Sequence, residues 1–173
     1  FQRAGVNFNG RHTFVNGAEL SADVDLIKFN IKGDQFFQTQ LSIPGSIAQA
    51  TSGNIPSDLN IFTAKIDFSK RFKSVLWEAG LKTASTATDN LAEYYSNDGS
   101  GWQDDLSRSN HFLYDEKIHS VYSSLDAEAG KWHWQAGLRY EVTNYKANQL
   151  GNAVVKDSSF KRNYGSLFPS AFV

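Results

Sequence analysis

The stretch KWHWQAGLRYEVTNY, Lys131 to Tyr145, decides how the rest of the chain is read. Taken two residues at a time, Trp132, Trp134, Ala136, Leu138, Tyr140 and Val142 fall on one face. His133, Gln135, Gly137, Arg139, Glu141 and Thr143 fall on the other. Alternation with period two over this length is the signature of a β-strand, because successive side chains leave the pleat on opposite sides. One face is wholly apolar and aromatic, and the other carries charges of both signs. A sandwich strand has this pattern with its apolar face in a core. A membrane-barrel strand has it with the apolar face toward lipid and the polar face toward a wet lumen.

Upstream, Asn60 to Phe72 repeats the pattern. Phe62, Ala64, Ile66, Phe68 and Phe72 oppose Thr63, Lys65, Asp67, Ser69 and Arg71. Val75, Trp77, Ala79 and Leu81 then oppose Leu76, Glu78, Gly80 and Lys82. A two-residue turn at Lys73-Ser74 brings both apolar sets to one side and places Ser69 opposite Glu78 and Asp67 opposite Gly80. That leaves Arg71–Glu78 and Asp67–Lys82 as diagonal charge pairs. A slip of one residue destroys the match, so the register is well specified. Lys70 is the one charge on the apolar side, beside the turn, where its stem can reach an interface.

Further upstream, Arg3 to Phe14 and Glu19 to Ile31 form a candidate hairpin about Asn16-Gly17. A three-residue turn, Asn16 to Ala18, predicts Phe14 opposite Leu20, Phe8 opposite Leu26 and Arg11 opposite Asp23. Immediately before the opening stretch, His111 to Leu125 reads as a strand and Asp126 to Gly130 as its turn. Pairing Asp126 with Gly130 puts Phe112, Tyr114, Ile118 and Tyr122 on the apolar side, with Glu116 at the limit of a lipid band about 9–11 residues long. From Ser166 another strand begins, interrupted by Pro169.

The connections alternate in kind. Tight turns lie near residues 16, 73 and 128; long polar segments lie at 32–58, 83–110 and 146–165. Counting Gln35 to Ile43 as a spanning strand would put the Lys73-Ser74 turn on the long-loop side, so this weakly alternating segment is assigned to an outer loop. Seven strands or part-strands remain. Short turns on one side and long loops on the other are the organisation of an outer-membrane barrel. The expected fold is therefore all-β: antiparallel amphipathic strands forming part of a transmembrane outer-membrane β-barrel, with short periplasmic turns and long outer loops. A soluble β-sandwich acting as a ligand-binding module is the competing reading, and it needs a second set of strands to cover the large apolar faces.

Composition bounds the alternatives. A net charge of −1 gives no electrostatic footprint for nucleic acid. The chain has no Cys, which excludes disulfides and thiolate metal sites. No run of 18 apolar residues offers a membrane helix, and no signal peptide is visible. The chain contains no Met, opens at Phe1 and stops at Val173 inside an apparent strand, so residues 1–173 are expected to be one partial barrel domain of a longer protein.

The run FLYDEKIHSVYSSLDAEAGKWHWQAGLRYEVTNY followed by SLFPSAFV resembles the barrel region of TonB-dependent-receptor-like outer-membrane proteins, as do AKIDFSKRF…VLWEAGLKTA and ELSADVDLIKF. The shared letters fall on Phe112, Tyr114, Glu116, Ile118, Tyr122, Trp132, Gln135, Gly137, Leu138, Arg139, Tyr140, Glu141, Thr143, Phe168, Pro169 and Ser170. These are barrel-wall positions, so no catalytic role comes with them. The resemblance implies a place in the outer membrane, the lipid bilayer and the remaining barrel and plug as partners, nutrient uptake, and energy from a TonB-type inner-membrane partner.

Motifs for enzymes and cofactors are absent: there is no G-x-S-x-G, H-E-x-x-H, P-loop or G-x-G-x-x-G. No enzyme activity and no cofactor are expected. His12, His111, His119 and His133 lack metal-ligand spacing and read as strand-face residues. Asn97, Asp98, Asp104 and Asp105 offer oxygen ligands for calcium without the EF-hand spacing. Tyr94, Tyr95 and Trp102 in the same segment can stack on a flat small molecule or a sugar. With Asp104 and Asp105 they form the candidate ligand-binding set on an outer loop; the alternative is solvated loop residues packing on one another. Lys65, Asp67, Glu78, Arg139 and Glu141 are the expected lumen-facing residues. Arg139, Glu141, Lys117 and Asp115 form either a binding cluster or a charge ladder on the lumen wall.

Overall fold

The computed structural model describes residues 1–39 and 49–173. Among the described residues ten strands run in chain order: β1 (Gln2–Thr13), β2 (Ala18–Ile31), β3 (Asp34–Thr39), β4 (Gln49–Asn54), β5 (Ser57–Phe72), β6 (Val75–Asn97), β7 (Trp102–Asp104), β8 (Asn110–Ala129), β9 (Trp132–Leu150) and β10 (Ser158–Phe172). Seven of them form one antiparallel meander in the order β1-β2-β5-β6-β8-β9-β10. β3 and β4 form a hairpin beside the upper end of β6, and β7 pairs back onto β6. The outer-loop assignment of Gln35 to Ile43 agrees with this path up to Thr39; its remaining residues lie outside the described ones.

The two faces of the sheet follow from the pairings. Residues joined across the ladder share a face. Starting from the even positions of β9, one face carries Trp132, Trp134, Ala136, Leu138, Tyr140 and Val142. It continues through Leu125 and Val121 of β8, Trp77, Ala79 and Leu81 of β6, Phe62, Ile66 and Phe68 of β5, and Leu20, Val24 and Leu26 of β2. Among the described residues no second sheet covers it. Ala18 is the only buried hydrophobic residue among those described. Trp132, Trp134 and Leu138 are 64%, 49% and 50% exposed, and Phe62 and Trp77 are exposed as well. Phe68 is half-buried because its ring meets Trp77 edge-on at 5.5 Å. A sandwich would bury these residues. A barrel wall presents them to hydrocarbon, where Trp132 to Val142, at about 3.3 Å per residue and a tilt near 40°, spans roughly 25 Å.

The short turns are as tight as expected, but two of the three registers differ. At Lys73-Ser74 the register agrees: Phe72 pairs with Val75, Ser69 with Glu78 and Asp67 with Gly80. Neither diagonal charge pair forms an ion pair here, since Asp67 binds Lys65 on its own strand at 2.8 Å. Lys70 lies half-buried with its ammonium 5.1 Å from the Phe72 ring, as its place near the turn suggests. At the first hairpin the turn is Phe14–Gly17, closed by Phe14 N–H to Ala18 O and Gly17 N–H to Phe14 O, with Gly17 at φ 75°. The Asn16 side chain accepts from Ala18 N–H at 3.0 Å. The turn is centred one residue earlier than expected, which shifts the ladder by two: Phe8 pairs with Val24 and Arg11 with Ser21. A shift of two leaves both faces as expected, but the Arg11–Asp23 pairing is lost. Asp23 and Asp25 instead accept from the Asn7 amide at 3.2 and 2.8 Å.

The third register changes the faces. The turn is Gly130-Lys131, with Gly130 at φ 65°, and Ala129 pairs directly with Trp132. Asp126 pairs with Gln135 rather than Gly130. The difference is an odd number of residues, so β8 turns over relative to expectation. Phe112, Tyr114, Glu116, Ile118 and Tyr122 lie on the polar face, while Asp115 and Lys117 lie on the outward one.

The segments 83–110 and 146–165 are not loops through their length. β6 runs unbroken to Asn97, β9 to Leu150, and β10 starts at Ser158. β6 has 23 residues, far more than the 9–11 that cross a bilayer. Above the membrane both faces meet water, so the apolar–polar alternation disappears while the backbone ladder continues.

Candidate functional site

The expected site residues lie in two regions, the polar face of the wall and the outer ends of the strands. On the lumen face, three consecutive rungs of the ladder collect the whole expected wall set. Ser21, Asp67, Gly80, Tyr122, Arg139 and Phe168 form one rung across β2, β5, β6, β8, β9 and β10. Lys65, Lys82 and Glu141 stand on the rung above, and Glu78 and Ser124 on the rung below. The charges are matched locally. Lys65 meets Asp67, Arg139 forms an ion pair with Glu141, and Ser124 donates to Glu78 at 3.3 Å. Tyr122 donates its hydroxyl hydrogen to Asp67 and lies flat over Gly80. A Cβ on Gly80 would sit 2.4 Å from the Tyr122 hydroxyl oxygen, so only glycine leaves room for the ring. The cluster of Arg139, Glu141, Lys117 and Asp115 is split by the β8 register: the first two are lumenal and the last two face outward.

Above these rungs the lumen face carries an aromatic patch that sequence reasoning missed. Phe112 and Tyr114 stack with centroids 6.5 Å apart, Tyr114 and Tyr145 lie at 6.0 Å, and Tyr145 meets Phe160 at 5.7 Å and Tyr164 at 6.5 Å. The Arg162 guanidinium sits 5.3 Å from the Tyr164 ring, and Tyr114 donates to Glu116 at 3.1 Å. The missed signal was Gly130 itself, since a two-residue turn centred there predicts this face.

At the outer end, β6, β7 and the turn after β7 build a cleft of about 260 Å³. Tyr94, Tyr95 and Asp104 line it together with Leu91, Leu106 and His111. Tyr94 is fixed by its N–H donating to Ser109 Oγ at 2.8 Å and by its ring packing over Gly53. Asn152, in the turn between β9 and β10, closes the far side by donating to Leu106 O and Ser109 O at 2.8 and 3.2 Å. His111 holds Asp89 at 2.6 Å.

Trp102 and Asp105 are not in this cleft. Trp102 reaches Phe36 at 6.3 Å. Asp105 caps the turn by accepting from Ser107 Oγ at 2.6 Å and Arg108 N–H at 3.2 Å, and the Ser107 hydrogen bond lowers its carboxyl below the usual range. Asp98 is lowered in the same way by Ser100. Asn97 turns its oxygen to Gly99 and Gly101 N–H. Asn97, Asp98 and Asp105 thus turn to separate local partners, while Asp104 lines the cleft. Among the described residues no group of three His, Asp or Glu converges on a point.

The sequence matches the Outer membrane protein beta-barrel family over residues 12–173. No match was found among curated proteins. Among solved structures, the ferric citrate transporter FecA in its unliganded form superposes with a TM-score of 0.61 at 12% identity, over 98% of this chain and 24% of that one. BauA, the ferric preacinetobactin receptor of Acinetobacter baumannii, gives 0.59 at 13% identity over 98% and 27%. The ferric yersiniabactin uptake receptor FyuA of Yersinia pestis gives 0.58 at 12% identity over 89% and 25%. The chain thus spans about a quarter of the length of these structures, and at such identities the likeness is one of fold. The chain belongs to the Outer membrane protein beta-barrel family of the Gram-negative outer membrane, and its sheet shares the fold of these receptor barrels.

Proposed function

We propose that the chain forms part of the wall and outer loops of a TonB-energised transporter that imports a nutrient. The observation that carries this reading is the continuity of the inner face. Its aromatic patch stands above the charged rungs at Lys65, Asp67, Glu78, Arg139 and Glu141, Tyr94 stands higher on the same face, and the cleft that Tyr94 lines with Tyr95 and Asp104 lies at the outer rim. A solute captured at the cleft would meet flat stacking surfaces and then alternating ion pairs. The role is passive: the wall excludes lipid, the inner face offers polar and aromatic contacts, and no bond is made or broken. The structural neighbours are a ferric citrate transporter, a ferric yersiniabactin uptake receptor and a ferric preacinetobactin receptor, which favours a small chelate over a glycan as cargo. A plug domain and a TonB-type inner-membrane partner complete the proposal.

Depletion of a defined mixture of iron chelates, oligosaccharides and peptides by cells with and without the full-length protein tests it. Uptake of one solute class should require the protein and stop with a protonophore. Tyr94→Ala with Asp104→Ala should raise the concentration for half-maximal uptake roughly tenfold, as loss of a contact worth a little over 1 kcal/mol does. Identical depletion by both strains overturns the reading.

A further inference from the structure

On the outward face, three lysines stand on two adjacent rungs above the apolar band. The contiguous apolar band facing outward ends at Val121 on β8 and Val142 on β9, and Leu113 and Leu150 lie further up, beyond the lysines. On β10 the band ends at Leu167, followed by Gly165 under the Tyr140 ring. Four residues beyond Val121, Val142 and Gly165 come Lys117, Lys146 and Lys161. At about 3.3 Å per residue and a 40° tilt, the lysines sit roughly 10 Å above the hydrocarbon edge, at head-group height.

Their pairing is unfavourable without an anion. Lys146 and Lys161 are directly opposite in the ladder, which places their Cβ atoms about 5 Å apart, and like charges so placed destabilise a sheet. Lys117 is the diagonal neighbour of Lys146, since it pairs with Asn144. Asp115, opposite Lys146, is the one carboxylate beside them. The nearest other outward acids, Asp89 and Asp58, are engaged by His111 and Asn30. All three lysines are exposed, and among the described residues none of them makes an ion pair. One rung below, Asn144 and Asn163 face each other and add amide donors.

We propose that Lys117, Lys146 and Lys161, with Asn144 and Asn163, form a binding site for the phosphate groups of a phosphorylated glycolipid in the outer leaflet. Phosphate is the ligand chemistry that fits. The site offers several N–H donors and a net charge of about +2 with Asp115 counted, against the dense negative charge of a head group. Lipid is its source because the site faces the bilayer, continues the apolar band upward and stands outside the lumen. The acyl chains of the same molecule would lie along Val121, Tyr140, Val142 and Leu167.

Native mass spectrometry of the detergent-solubilised full-length protein, titrated with lipid A, tests the proposal. The wild type should bind lipid A and weaken as salt rises. Each lysine removed should cost about fivefold in affinity, so Lys117→Gln, Lys146→Gln and Lys161→Gln together should cost roughly a hundredfold. Lys28→Gln, on the same face but away from the cluster, should change nothing. Heat-modified gel mobility should show the triple variant folded, because all three side chains are exposed. Equal binding of lipid A and its dephosphorylated form overturns the proposal, as does unchanged binding by the triple variant. Complete displacement of lipid A by millimolar inorganic phosphate would make the lipid source wrong.

Discussion

Tyr122 shows how one side chain ties several strands together. Its ring covers Gly80 on the neighbouring strand, and its hydroxyl reaches Asp67 one strand further, which also holds Lys65. Gly80→Val should therefore expel the ring and break the Asp67 contact, with a loss of about 1–3 kcal/mol, as for overpacking elsewhere. Gly10, where an added Cβ meets nothing within 4 Å, should accept Ala within about 0.5 kcal/mol. Unfolding of the full-length barrel in denaturant measures both, and equal effects would contradict the role given to Tyr122. A second residue-scale test concerns Asp105. Its carboxyl is lowered by the Ser107 hydroxyl and the Arg108 N–H, so the ionised form is favoured in the folded turn. The turn is thus supported above the ordinary carboxylate value of about 3.9 and loses that support as pH falls through the lower folded value. Exchange protection of the Arg108 and Ser109 amides should drop on acidification through that window, and Asp105→Asn should flatten the dependence. None of the Tyr122 contacts is legible in the sequence, because a turn at Asp126 to Gly130 puts Tyr122 on the apolar face and only the Gly130-Lys131 turn brings it to Gly80 and Asp67.

At the scale of the strand, legibility followed the solvent. Where one face meets lipid and the other water, as from Trp132 to Val142 and from Phe62 to Leu81, the alternation gave both the strand and its faces. The Lys73-Ser74 register was readable because only one register matched the apolar sets. For β8 the two registers both offered plausible apolar faces: Leu125 and Val121 on one side, Tyr122, Ile118, Tyr114 and Phe112 on the other. Gly130 at positive φ chose between them. The upper halves of β6 and β9 had no signal to read, since both of their faces are wet. The face assignment of β9 is open to direct test. Ala136 points outward near the middle of the apolar band, and Gln135 points inward. Ala136→Arg should impair assembly by about 2–4 kcal/mol, the cost of a cation at the bilayer midplane, while Gln135→Arg should be far better tolerated. Folded yield of the two variants in phospholipid vesicles would show the difference, and equal yields would mean that the faces are exchanged.

For the molecule as a whole, what remains unsatisfied is at the two edges of the sheet. β1 pairs only with β2 and β10 only with β9 among the described residues. Each edge leaves about half of its backbone N–H and C=O groups without a partner. In water such an edge invites association with another strand; in hydrocarbon every unsatisfied group costs several kcal/mol. Seven strands are fewer than the eight of the smallest bacterial barrels, and a plugged transporter uses about 22. Closing the meander on itself would also force seven strands into a tight cylinder and crowd the inner-face rings of Tyr122, Tyr145, Phe160 and Tyr164 against one another. The 173-residue chain by itself should therefore give no monomeric, size-selective pore, and should aggregate or need detergent unless strands from elsewhere cover β1 and β10. Solute flux through liposomes reconstituted with the purified chain is the measurement. Reproducible conductance that scales with the first power of protein concentration would show that the seven strands close alone. Flux that appears only when the remaining strands of the barrel are supplied would place this chain as one arc of a larger wall.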